Sequence, residues 1–168
     1  MSITLHAQPY DISATGFCFT SAEDYDEKAK GLRNAHGGPV EEFEIQFIDG
    51  ERIDCDLAKA IGINQANFRD YLDCVDVWED WEKINVVIAV GECGCEFDGR
   101  VDPDHDGIDI YQVESMRELA EQFVEEGLFG DIPEDLQFYI DYDAIARDLA
   151  VEYTETEIAG ERLIYRCL

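Results

Sequence analysis

The chain has 168 residues, 46% of them hydrophobic, and carries 40 Asp and Glu against 12 Lys and Arg for a formal net charge of −28. That apolar content excludes a disordered acidic tail, and the basic residues, standing singly among acids, exclude direct binding to nucleic-acid phosphates. No stretch approaches the roughly 20 apolar residues of a membrane span, and the start, Met1-Ser2-Ile3-Thr4-Leu5-His6-Ala7, lacks a basic region followed by an apolar run, so a cytoplasmic protein with no membrane partner is expected.

In chain order, residues 2–8 alternate as a short strand, Gly16-Phe17-Cys18-Phe19 reads as a second, and Glu42 to Phe47 alternates strictly with Phe43, Ile45 and Phe47 on one face. Between the last two, Ser21-Ala22-Glu23-Asp24 opens a short helix that ends near Gly31, and residues 34–39 form a loop. From about Asn64 the period becomes helical: Phe68, Tyr71, Leu72, Val75 and Trp78 share one face, Asp70, Asp73, Asp76 and Asp80 another. The apolar run from Val86 to Val90 suits either a strand or a helix, and residues 91–107, rich in Gly, Cys and Asp, mark a boundary.

Beyond it, Ser115 and Glu118 form a capping box, Met116, Leu119, Ala120, Phe123 and Val124 form an apolar stripe, and Gly127 is the stop. The opposite face carries Glu114, Glu118, Glu121 and Glu125. Pro133 suits the first turn of a helix through Leu136 and Ile140, and residues 151–167 read as a hairpin turning at Ala159-Gly160. The expected fold class is α+β in three small domains: an N-terminal antiparallel sheet with a helix at 1–57, a central acidic, mainly helical domain at 58–107, and an α/β domain with a terminal hairpin at 108–168.

The charge is concentrated. Residues 70–143 hold 23 acids and three bases, Lys83, Arg100 and Arg117. Carboxylates recurring about every 3.5 residues on a helix stand about 5 Å apart, so two adjacent rows give about one charge per 2.6 Å, close to the one per about 1.7 Å of duplex DNA. Solvated helix faces ordinarily mix signs and gain from Glu–Lys pairs, whereas like charges at this spacing repel, so the pattern points to a basic partner. Glu79, Asp131, Glu134 and Asp135 extend the acidic surface.

Three other chemistries are poorly served. Asp102, Asp104 and Asp106 with Gly107 match the first half of a calcium loop, but its twelfth position is Val113 and no helix precedes it, so no metal is expected. Cys93, Cys95, Cys74 and His105 lack the pairing of a zinc set, and the six cysteines, including Cys18, Cys55 and Cys167, suit buried or idle thiols. No nucleophile signature accompanies His6, His36 or His105, so neither catalysis nor a cofactor is expected.

The run from Gly127 to Leu149, with its Pro133-x-x-Leu136-x-x-Tyr139-Ile140-Asp141-Tyr142 core followed by Arg147-Asp148-Leu149, resembles the signature of ArdA-type antirestriction proteins. Thr15-Gly16-Phe17-Cys18-Phe19 is similar to that family's Gly-aromatic strand, with Phe17 where a Trp is usual. The resemblance implies an elongated, curved chain of three small domains that pairs through its C-terminal domain into a homodimer, its carboxylates imitating the phosphates of B-form DNA to occupy the DNA-binding groove of Type I restriction-modification enzymes. It also implies that Tyr139, Ile140, Asp141 and Tyr142 form the antirestriction motif near the dimer contact, with Arg147 and Asp148 as its structural partners. The charge rows taken alone suit equally a general acidic inhibitor or chaperone of basic DNA-binding proteins, or a calcium-binding module; the C-terminal signature separates the first reading from these.

Overall fold

A computed structural model describes residues 2–104 and 107–168. Among them the fold is mixed α/β, with seven helices and two three-stranded antiparallel sheets, and it separates into two compact units, Met1–His105 and Asp106–Leu168.

In the first unit the three predicted strands form one sheet, with β1 (Thr4–Pro9) between β2 (Phe17–Phe19) and β3 (Phe43–Asp49). Because side chains alternate along a strand, Leu5, Ala7, Phe19, Phe43 and Ile45 turn to the buried face, and His6, Gln8, Cys18 and Glu44 to the other. The helix α1 (Ala22–Gly31) starts as its sequence predicts: the Ser21 hydroxyl accepts from the Asp24 N–H at 3.1 Å, and Tyr25 is buried. Phe68, the first residue of α3 (Phe68–Val77), completes this core, its ring centroid 4.7 Å from Tyr25 and 5.3 Å from Phe19. Gln65 ties the entry to α3 onto the sheet, accepting from the Phe43 N–H at 3.0 Å and donating to the Tyr25 hydroxyl and the Glu41 carbonyl.

In this unit two helices lie outside the sequence expectations. The helix α2 (Arg52–Ile61) crosses position 57/58, where a boundary was expected, and it packs on α4 (Asp80–Gly91). The unassigned run from Val86 lies in α4, with Val86, Val87, Ile88 and Ala89 all buried. The predicted row of four aspartates is also broken. Trp78 adopts an extended conformation and ends α3, and Glu79 then caps α4 in a box with Glu82, whose carboxylate accepts from the Glu79 N–H at 2.7 Å. Asp80 therefore opens α4 and does not continue the row Asp70, Asp73 and Asp76.

In the second unit β6 (Glu161–Cys167) lies between β4 (Ile108–Tyr111) and β5 (Thr154–Ile158). The predicted hairpin closes through Ala159 and Gly160, both at positive φ (52° and 85°), the handedness that matches strand twist in a two-residue turn. The helix α5 (Met116–Glu125) has Ser115 as its cap and stops at Gly127 as predicted: the Leu128 N–H reaches the Phe123 carbonyl and the Gly127 N–H the Val124 carbonyl. Val113, Leu119, Phe123, Tyr153 and Ile164 form the core under it, with Tyr111, Met116 and Leu149 packed against them. The expected helix from Pro133 to Ile140 is shorter. It is α6 (Glu134–Gln137), with no buried residue, because Leu136 faces solvent and no apolar stripe anchors a further turn. A helix not predicted, α7 (Tyr142–Leu149), follows and packs on α5.

Cys18, Cys55 and Cys74 are free thiols, whereas Cys93 and Cys167 are disulfide-bonded, against the expectation of buried or idle thiols.

Candidate functional site

Of the predicted acidic residues, Asp70, Asp73, Asp76, Glu79 and Asp80 in the first unit are all exposed, as are Glu114, Glu118, Glu125, Asp131, Glu134 and Asp135 in the second; Glu121 is half-buried. Asp70, Asp73 and Asp76 follow one another at the three-residue spacing that puts side chains on neighbouring turns of α3. A buried thiol one turn along from Asp70 registers their field: Cys74 is pushed up to about 11, first by burial and then by the carboxylates of Asp70 and Asp73. The loop at Gly99 approaches the head of this row so closely that a Cβ there would stand 2.7 Å from the Asp70 Cγ, and its φ of +75° favours glycine as well.

Two of the three bases in the acidic stretch are engaged by carboxylates. The Lys83 ammonium is buried and bonded to the buried Asp54 Oδ1 at 2.7 Å, while the Tyr71 hydroxyl donates to the Asp54 carbonyl, also at 2.7 Å, so α2, α3 and α4 are locked by one polar cluster. Lys83 thus places no positive charge on the surface. Arg117 on α5 reaches Glu121 at 3.2 Å and Asp143 at 2.8 Å and lies over the Tyr142 ring; these carboxylates hold its guanidinium well above the ordinary arginine range. Sequence reasoning missed the Asp54–Lys83 pair. Its partners are 29 residues apart, and the one available signal was a lysine directly before an apolar run.

The motif residues divide into two kinds. Tyr139 is 83% exposed and its neighbour Phe138 94%, with Leu128, Phe129 and Leu136 also exposed. Ile140 and Tyr142 are half-buried. Asp141 has a structural task, because its side chain accepts from the Ala144 N–H at 3.0 Å and caps α7. Arg147 sits in the last turn of that helix, where a cation complements the carbonyl end, and both it and Asp148 are exposed.

For the candidate calcium loop, the Asp102 side chain accepts from the Asp104 N–H at 2.9 Å, while Asp106, like His105 of the discarded zinc set, lies outside the described residues. Among the described residues no group of three or more His, Cys, Asp and Glu side chains is arranged to hold a metal, and no helix is long and apolar enough to cross a membrane.

The arrangement therefore offers carboxylates of one sign on α3 and α5, and an apolar, solvent-facing segment between α5 and α7. A family model described as antirestriction protein (ArdA) matches residues 19–160, most of the chain. No match was found among curated proteins.

Proposed function

The chain belongs to the ArdA antirestriction protein family, and from that premise we propose that it acts as a mimic of B-form DNA, occupying the DNA-binding groove of a Type I restriction-modification enzyme without catalysing a reaction. The observation that carries this reading is the excess of exposed carboxylates along α3 and α5: their exposed bases, Arg69 and Arg117, are each paired with carboxylates, Asp26 for the first and Glu121 and Asp143 for the second, while Lys83, the one base in α4, is withdrawn into a buried ion pair. A groove that binds DNA is positive by necessity, and a dense acidic face releases its own condensed cations on entering it and is steered to it as DNA is. Asp70, Asp73 and Asp76 on α3, Glu79 and Asp80 at the start of α4, and Glu114, Glu118, Glu121, Glu125, Asp131, Glu134 and Asp135 in the second unit stand in for phosphates in this reading.

The proposal includes a homodimer formed through the C-terminal domain at 108–168, with Tyr139 and Ile140 at the contact. Exposure of Phe138, Tyr139 and Leu136 supports it, since apolar side chains grouped in one segment signal a missing partner. Asp141 supports the contact indirectly by fixing the start of α7.

The direct test is displacement of labelled duplex DNA from the methyltransferase core of a Type I enzyme. The chain is expected to displace DNA competitively; DNA that stays bound while the enzyme is inhibited would overturn the mimicry.

A further inference from the structure

Apart from the acidic surface, the outward face of the N-terminal sheet carries an arrangement that the antirestriction reading does not use. Cys18 on β2 and His6 on β1 are direct cross-strand partners, and the Cys18 Sγ lies 3.5 Å from the His6 Nδ1. On the far side of the ring, the His6 Nε2 is 3.2 Å from the Gln8 Oε1. An amide oxygen only accepts, so Nε2 carries the hydrogen and Nδ1 presents its lone pair to the thiol. A nucleophile, a base in reach of it and a third group that orients the base make up the pattern of an activated nucleophile. Gly16 makes room for it, because a Cβ there would stand 2.6 Å from the His6 Nε2.

We propose that Cys18 is a base-activated thiol and a site of mixed-disulfide formation with small, positively charged disulfides. The thiol passes its proton to the His6 Nδ1 as sulfur attacks one sulfur of the disulfide. A new S–S bond forms at Cys18, the old one breaks, and the departing thiolate takes the proton from His6, so that one disulfide is exchanged for another and one thiol for another. Access is open, since Cys18 is exposed, unlike buried Cys74. The preference for a cation follows from the surroundings. Lys28 donates to the Cys18 carbonyl at 2.8 Å but is itself paired with Asp24, Glu44 stands opposite Gln8 on β3, and the chain as a whole carries −28.

The site is tested on the unreduced full chain with cystamine, a cationic disulfide, and with an anionic alkyl disulfide of equal concentration and matched leaving-thiol acidity, locating the adducts by peptide mass spectrometry. Cys18 is expected to react first, roughly tenfold or more ahead of Cys55 and Cys95, as general-base assistance allows, and faster with the cation at low salt. His6→Ala is expected to lower that rate at neutral pH and move its pH profile upward, and Gln8→Leu to do so in part, with the circular dichroism of both unchanged because both side chains face outward. Reaction of Cys18 no faster than Cys55 and Cys95, or a rate and pH profile indifferent to His6→Ala, would overturn the proposal. Because neither readout involves a restriction enzyme, the result is independent of the antirestriction reading.

Discussion

The acidic face of α3 and the segment between α5 and α7 differ in chemical character. In α3 the ordinary rule is kept: Phe68, Tyr71 and Cys74 are buried and Asp70, Asp73 and Asp76 face water, and what is unusual is that the helix's one base, Arg69, pairs with Asp26 and not with that row. Between α5 and α7 the rule is inverted, with Leu128, Phe129, Leu136, Phe138 and Tyr139 exposed. The first surface can attract a basic partner at a distance and should lose strength in salt; the second gains only on contact and should be nearly indifferent to salt. On the proposed reading, charge serves recognition of a restriction enzyme and apolar exposure recognition of a second copy.

The largest effect is expected where the acidic face is anchored. Lys83→Met leaves Asp54 buried without its cation, and thermal or denaturant unfolding should show a loss of about 3–5 kcal/mol, whereas a loss under about 1 kcal/mol would mean that the pair does not organise α2, α3 and α4. Next, Tyr139→Asp with Ile140→Lys should convert dimers to monomers in a mass measurement while helix content is kept; persistent dimers would place the contact outside this segment. Neutralising the α3 row by Asp70→Asn, Asp73→Asn and Asp76→Asn should weaken inhibition of a Type I enzyme by roughly tenfold or more at low salt, three phosphate-like contacts being lost, and leave the fold intact or more stable as repulsion is relieved. Unchanged inhibition would remove α3 from the mimicking surface. The smallest effect is local: Ala159 holds a φ of 52° in the hairpin, so Ala159→Gly should raise stability by about 1 kcal/mol, and a loss would show that the turn does not need its left-handed conformation.

Legibility in the sequence followed the range of the interactions. The strands of the first sheet, the caps at Ser21 and Ser115, the stop at Gly127 and the turn at Ala159-Gly160 are local, set by residues a few positions apart, and each appears where its pattern predicts. The helix α4 was illegible for the opposite reason, since a helix buried on most sides shows no period, and Val86 to Ala89 reads as an apolar run whichever structure it takes. Glu51, at the start of α2, makes no side-chain cap, so that helix carries no start signal. The break between α3 and α4 depends on Glu79 and Glu82 capping one another, a box without the usual Ser or Thr, and it took Asp80 off the predicted row. The exposed carboxylates were legible because a charge pattern is itself the signal. The Asp54–Lys83 pair and the Cys18–His6 pair were not, because they join residues that only the fold brings together.

Electrostatic imitation of DNA is tested most directly by salt. The inhibition constant of the wild-type chain against a Type I restriction-modification enzyme, measured across rising salt at fixed duplex DNA, should weaken steeply, by roughly a thousandfold between about 50 and 200 mM if six or more phosphate positions are matched. An inhibition constant that stays flat across that range would contradict the account, leaving the carboxylates as bystanders to an apolar contact.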